Sequence, residues 1–103
     1  MMTEMDIFGG NSDIEYGHYT YSASSETITL PFTPVRVICS GYDSSSKAFM
    51  AYKDTVANKD ACIINSTHFA QSFITINGNT VTITGDLSST IIGLDVYWFA
   101  MKE

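Results

Sequence analysis

Two histidines, His18 and His68, are the only imidazoles in the chain. Either could act as a general base if a hydroxyl and a carboxylate met it in space. The sequence holds no G-x-S-x-G elbow to present such a hydroxyl. With so many Ser and Asp residues, chance pairings are expected, and both imidazoles read as surface or hydrogen-bonded groups. Paired carboxylates across a cleft would suit glycoside hydrolysis. Asp43, Asp54, Asp60, Asp86 and Asp95 are instead scattered among loops and strand ends, where Asp bonds its own backbone and shapes turns. Asp13 with Glu15, or Asp86 with loop carbonyls, offers oxygen ligands for calcium, but the spacing of an EF-hand is missing. No enzyme, metal or cofactor is expected. Cys39 (in VICS) and Cys62 (in ACII) lie in apolar runs without the tight spacing of a zinc site. Buried free thiols are the expected state, and a disulfide stays open should their strands be neighbours.

Aromatic rings are the better candidates for contact chemistry, at 13% of the residues. A ring stacks on the apolar face of a sugar while nearby carboxylates and hydroxyls bond its oxygens. Tyr42, with Asp43 and Ser44, and Tyr52, with Asp54, have such neighbours. Tyr42, Asp43, Tyr52 and His68 are therefore the expected ligand contacts. The competing reading has these rings covering a sandwich edge or a subunit seam. Trp98, flanked on its own face by Val96 and Ala100, is expected in the core. Asn65-Ser66-Thr67 matches a glycosylation sequon, read as coincidence because no secretory leader is recognisable.

These residues must be held by strands. The segment from Tyr19 to Ser40 alternates polar β-formers with apolar residues, and Pro31 and Pro34 leave no room for a long helix. The spacing predicts strands over His18–Ala23, Thr27–Leu30, Val35–Ser40, Ala48–Tyr52 and Ala61–Asn65. Gly41–Ser46 and Ser66–Gln71 read as loops. Ser72–Ile76 and Thr80–Thr84 flank Asn77-Gly78-Asn79 and form a hairpin, with Phe73 or Ile74, Ile76, Val81 and Ile83 facing inward. The last strand, Leu94–Met101, is apolar on both faces. Leu94, Val96, Trp98 and Ala100 share one, and Tyr97, Phe99 and Met101 share the other. Such a strand is central in a sandwich or meets a second subunit, so Tyr97, Phe99 and Met101 are the expected oligomer interface. The fold class is all-β: one β-sandwich, jelly-roll-like or Greek-key, of about eight short antiparallel strands. Residues 1–16 read as an N-terminal arm and 17–103 as the sandwich domain.

Composition narrows the partners. The 103 residues are 45% hydrophobic and only 16% charged, with a net charge of −6. Glu4, Asp6, Asp13, Glu15 and Glu26 all precede the first basic residue, Arg36. A phosphate backbone would be repelled, so nucleic acid is excluded as a natural partner, and an anionic membrane for the same reason. No apolar run is long enough to span a bilayer. A soluble protein made in the cytoplasm is expected.

Several segments carry a resemblance. Gly17-x-Tyr19 is followed by Ile28-Thr29-Leu30-x-Phe32-Thr33-Pro34-x-x-Val37, then Gly78-Asn79-Thr80-Val81-Thr82-Ile83, then Tyr97-Trp98-Phe99-Ala100. Over about Tyr16–Met101 this pattern resembles the C-terminal domains of bacteriophage tail-fibre and minor structural proteins. The resemblance implies a small β-sandwich, often trimeric, at or near the virion tip, with other virion proteins as partners and no catalytic residues. It implies a non-enzymatic phage or prophage structural protein, made in the bacterial host cytoplasm, that binds a bacterial surface polysaccharide or receptor. The alternative is an assembly module, such as a head decoration or connector, with no ligand of its own. Fibre domains usually follow a long shaft, whereas here only about sixteen residues precede the domain.

Overall fold

The computed structural model describes residues 13–44 and 46–103. Nine strands run through the described residues: β1 (Ile14–Thr20), β2 (Glu26–Thr29), β3 (Arg36–Ser44), β4 (Lys47–Asp54), β5 (Lys59–Ile64), β6 (Thr67–Phe69), β7 (Ile74–Asn77), β8 (Thr80–Ile83) and β9 (Asp95–Met101). One turn of 3-10 helix, Ser89–Ile91, precedes β9. Among the described residues no helix is long and apolar enough to cross a membrane. All strand pairs are antiparallel and fall into two packed sheets. One has six strands in the order β1-β9-β3-β4-β5-β6, and the other has three in the order β2-β8-β7.

The period-2 alternation decides which side chains meet between the sheets. From the large sheet come Val37 and Cys39 of β3, Phe49 and Ala51 of β4, Cys62 and Ile64 of β5, and Val96 and Ala100 of β9. The small sheet supplies Ile74, Val81 and Ile83, and the connections supply Tyr21, Leu30, Ile91 and Leu94. Tyr21 joins the layers through its hydroxyl. That group donates to the Thr84 carbonyl at 3.1 Å and accepts from the Leu87 N–H at 2.9 Å. Trp98 packs against this core, as its flanking residues predict. Its indole covers Gly17 on the neighbouring strand, within 2.8 Å of where a Cβ would stand.

The hairpin β7–β8 closes through Gly78 and Asn79. Gly78 has φ +61, and Asn79 is not in the left-handed region. This is the pattern of a II′ turn, which glycine enters at little cost. Asn79 then bonds the Leu30 carbonyl through its side chain at 2.9 Å and so fixes the end of β2. The crossing from β6 to β7 is pinned at Ser72, which is fully buried. Its N–H donates to Asp60 Oδ1, and its hydroxyl accepts from the Ile74 N–H at 3.1 Å.

The structure departs from the sequence reading in three places. The first strand starts at Ile14, so Ile14–Tyr16 of the expected arm lie in the sheet; residues 1–12 of that arm lie outside the described residues. The expected loop Gly41–Ser46 is largely strand, because β3 runs on to Ser44 past a register shift after Tyr42. The expected loop Ser66–Gln71 contains the short β6, which pairs with β5 and makes nine strands instead of eight. β9 is interior to its sheet, with Val96 and Ala100 in the core and Tyr97 and Phe99 facing solvent.

Candidate binding face

The inner face of the six-stranded sheet is covered by the small sheet and the connections, and among the described residues nothing covers the outer face. Register places the outer residues in rows that cross the strands. One row reads Tyr16, Phe99, Ile38, Tyr52, Ala61, from β1 to β5. The next reads His18, Tyr97, Ser40, Met50, Ile63, His68, from β1 to β6. Beyond the first lies Ile14, Met101, Arg36, Asp54, Lys59. Tyr16, Ile38, Met50, Tyr52, Tyr97 and Phe99 are between 40% and 73% exposed. Neighbouring rings touch across strands. Tyr16 and Phe99 have centroids 6.1 Å apart, and His18 stacks on Tyr97 at 5.2 Å. An exposed tyrosine alone is ordinary, but a contiguous block of such side chains is not.

Where β3 and β4 approach their hairpin, the face dips into an open hollow of about 790 Å³. Phe49 and Leu94 line it from the core side, together with the outer-face residues Ser40, Met50, Ile63 and Tyr97. Tyr42 and Asp43 line it from the end of β3, and Asp95 from the start of β9. Tyr42 is 75% exposed, so its ring is available to a ligand. Asn65 also lines the hollow, but its amide is engaged: Oδ1 accepts from the Ala48 N–H and Nδ2 donates to Thr90 Oγ1, each at 2.9 Å. It shapes the wall. Asp95 Oδ1 lies 3.2 Å from His18 Nδ1, which ties the mouth of the hollow to β1.

The expected ligand contacts are therefore not one cluster. Tyr42 and Asp43 line the hollow. Tyr52 stands on the same face in the row beside Ile38. His68 lies on the outermost strand, opposite Ile63. Of the expected interface residues, Tyr97 and Phe99 are exposed and Met101 is half-buried. Tyr16, Ile38, Met50 and Asp95 were not anticipated. Ile38 and Met50 do carry a signal, since each is an apolar residue on the outward phase of its strand.

The titratable groups are mostly structural. The Ala57 N–H bonds the Asp54 carboxylate at 2.9 Å, and Arg36 Nε donates to it at 2.7 Å; these hold its pKa below the ordinary carboxylate range. Burial works to raise Asp60, but the bonds from Ser72 and the Lys53 ammonium more than offset it and leave the pKa lowered. Burial pushes the Cys39 thiol up to about 12 and Cys62 to about 11. Both thiols are free. They face the core in register with Ala51 of the intervening strand, two strand spacings or roughly 10 Å apart. That exceeds the reach of a disulfide. Among the described residues, no hydroxyl bonds either imidazole, and no three His, Cys, Asp or Glu side chains converge as a metal ion requires. No family model matches the chain, and no curated protein or solved structure matches it either.

Proposed function

We propose that this chain is a non-enzymatic structural protein of a bacteriophage or prophage virion, associated with a tail fibre or baseplate. It attaches to a bacterial surface glycan through the hollow beside Tyr42 and Tyr97. The observation that carries this reading is the hollow itself: two tyrosines and two carboxylates, Asp43 and Asp95, line one open concavity. A pyranose ring has an apolar face for a tyrosine to cover and hydroxyls that donate to carboxylates. An open hollow fits an internal segment of a long polysaccharide, which must enter sideways. The acidic chain, at −6, favours neutral or basic glycans over anionic ones. The Greek-key classification belongs to the same reading: β3 to β6 run as a meander, and β9 returns by a long connection to lie beside β3.

Titration calorimetry with polysaccharides purified from bacterial envelopes tests the proposal. Binding by the parent protein, weakened at least tenfold by Tyr42→Ala, is the expected result. A protein that binds none of a panel of neutral and amino-sugar polysaccharides has no such site. It would then be an assembly module without a ligand.

A further inference from the structure

The hollow occupies one end of the open face, and the aromatic rows extend well beyond it. From this second feature we infer that the outer face of the six-stranded sheet packs against the same face of a second copy, giving a two-fold dimer. Three observations carry this.

The first is area. Tyr16, Ile38, Met50, Tyr52, Tyr97 and Phe99 are on average about half exposed. At about 200 Å² for a large side chain, they present about 600 Å². This is already the largest patch a typical monomer leaves open, and the polar residues around it bring it towards the roughly 800 Å² per partner of a standard interface.

The second is charge. The three outer rows carry Arg36 and Lys59 against Asp54, a formal balance of +1 on a chain of −6. The acidic excess lies elsewhere. This is a surface on which two copies of an acidic chain can approach without the repulsion of that excess. Arg36 and Asp54 already satisfy one another at 2.7 Å, so neither enters the seam unpaired.

The third is shape. The face is one continuous side of an antiparallel sheet, and such faces stack about 10 Å apart with their side chains interdigitated. A patch that recognises itself closes as an isologous pair, with each row meeting its counterpart across the axis. The seam centres on the row from Tyr16 to Tyr52. The row of Tyr42 lies two rows further along β3, towards the hairpin, so each hollow opens at the rim, where Met50 and Tyr97 belong both to its wall and to the seam. A dimer then offers two hollows, and the second binding event gains from the first. The pairing does not depend on the glycan reading.

Sedimentation velocity on the full chain tests it, from micromolar to hundred-micromolar concentration. The parent is expected to reach twice the 11.3 kDa chain mass. Tyr16→Glu, the most exposed of the six large side chains, is expected to stay at one chain mass with an unchanged circular-dichroism spectrum and, at concentrations where the parent too is monomeric, an unchanged melting temperature. Tyr42→Ala, outside the seam, is expected to remain a dimer. A parent that is monomeric at the highest concentration overturns the inference and leaves the face to another occupant, residues 1–12 or a foreign protein. A mass of three chains overturns the two-fold closure. A Tyr16→Glu protein that stays fully dimeric places the seam elsewhere and also overturns it. A parent protein that dimerises yet binds none of the polysaccharides would count against the proposed function alone.

Discussion

Substitution of Gly41 by alanine is expected to loosen both the core and the hollow. Gly41 sits on the inward phase of β3, opposite the buried Phe49. A Cβ there would stand 2.6 Å from the Asp95 carbonyl oxygen and 3.1 Å from Leu94 Cγ and Cδ2. Ordinary contact begins at 3.4 Å, so the first distance must open by 0.8 Å. The atom in the way is backbone, and its neighbour Leu94 is fixed by the bond from the Tyr21 N–H to the Leu94 carbonyl at 2.8 Å. No rotamer change relieves the clash. Overpacking of this kind costs about 1–3 kcal/mol, and the upper half of that range applies where backbone must move. Alanine returns about 0.5 kcal/mol by restricting the unfolded chain. The net loss is about 2 kcal/mol. For a chain of this length the unfolding entropy near the midpoint is about 0.2 kcal/mol per degree, so the melting temperature should fall by about 10 °C. Two comparisons calibrate the result. At Gly17 the obstacle is the Trp98 ring, which can tip aside, and the loss should be smaller. At Gly78 nothing lies within 4 Å, and only the φ of +61 resists, worth about 1 kcal/mol or some 5 °C. Calorimetric melting of the three variants reads the order directly. A Gly41→Ala protein that melts within two degrees of the parent, or above Gly78→Ala, would refute the close fit of β3 against the start of β9.

Removing the Tyr21 hydroxyl by Tyr21→Phe strands the partly buried Leu87 N–H and Thr84 carbonyl, and about 1–2 kcal/mol should be lost in urea unfolding. Asp54 and Asp60 have folded pKa values below those of the unfolded chain, so the stability they contribute is complete above about pH 4 and is lost as the pH falls through their folded values. Melting temperatures should accordingly hold between pH 7 and pH 5 and decline below about pH 4, with a shallower decline in the Asp54→Asn, Asp60→Asn double variant. The thiols of Cys39 and Cys62, raised by burial to about 12 and about 11, should not react with a disulfide reagent at pH 8 until the protein unfolds. Both should then react together in denaturant, and rapid labelling of the native protein would contradict their burial.

Much of the sandwich is legible in the sequence because burial there follows a local rule. Val37, Cys39, Val81, Ile83, Val96 and Ala100 alternate strictly with outward residues, and each is buried. Asn77-Gly78-Asn79 places its hairpin because only a small set of residues enters that turn. The errors arise where a local rule meets a tertiary cause. Gly17 interrupts the apolar pattern of β1 and suggests a break, but it is there because the Trp98 indole needs the space. Gly41 looks like the start of a loop, but it lies within β3 because a side chain would collide with β9. β6 is three residues long and exposed throughout, with no period to detect. The open face is the deepest omission. Tyr16, Phe99, Ile38 and Tyr52 come from four strands scattered along the chain, and they form a row only once β9 is known to lie between β1 and β3. The hollow has the same character. Tyr42 and Asp43 can be singled out as a ring beside an acid, but Asp95 joins them only through the order of the strands.

The position of β9 also constrains how the protein can be made. β1 and β3 are made before β9, yet they do not pair with each other, because the strand that bridges them is the last of the nine described. While the intervening segments emerge, β3, β4 and β5 can pair locally, and β1 has no partner in its sheet. The six-stranded sheet therefore closes only once β9 has emerged, when its seven residues slot between two waiting edges and join the first strand to the third. A nascent chain stalled before Asp95 would carry two unsatisfied strand edges and a half-built core, the form most prone to be captured by chaperones or by other nascent copies.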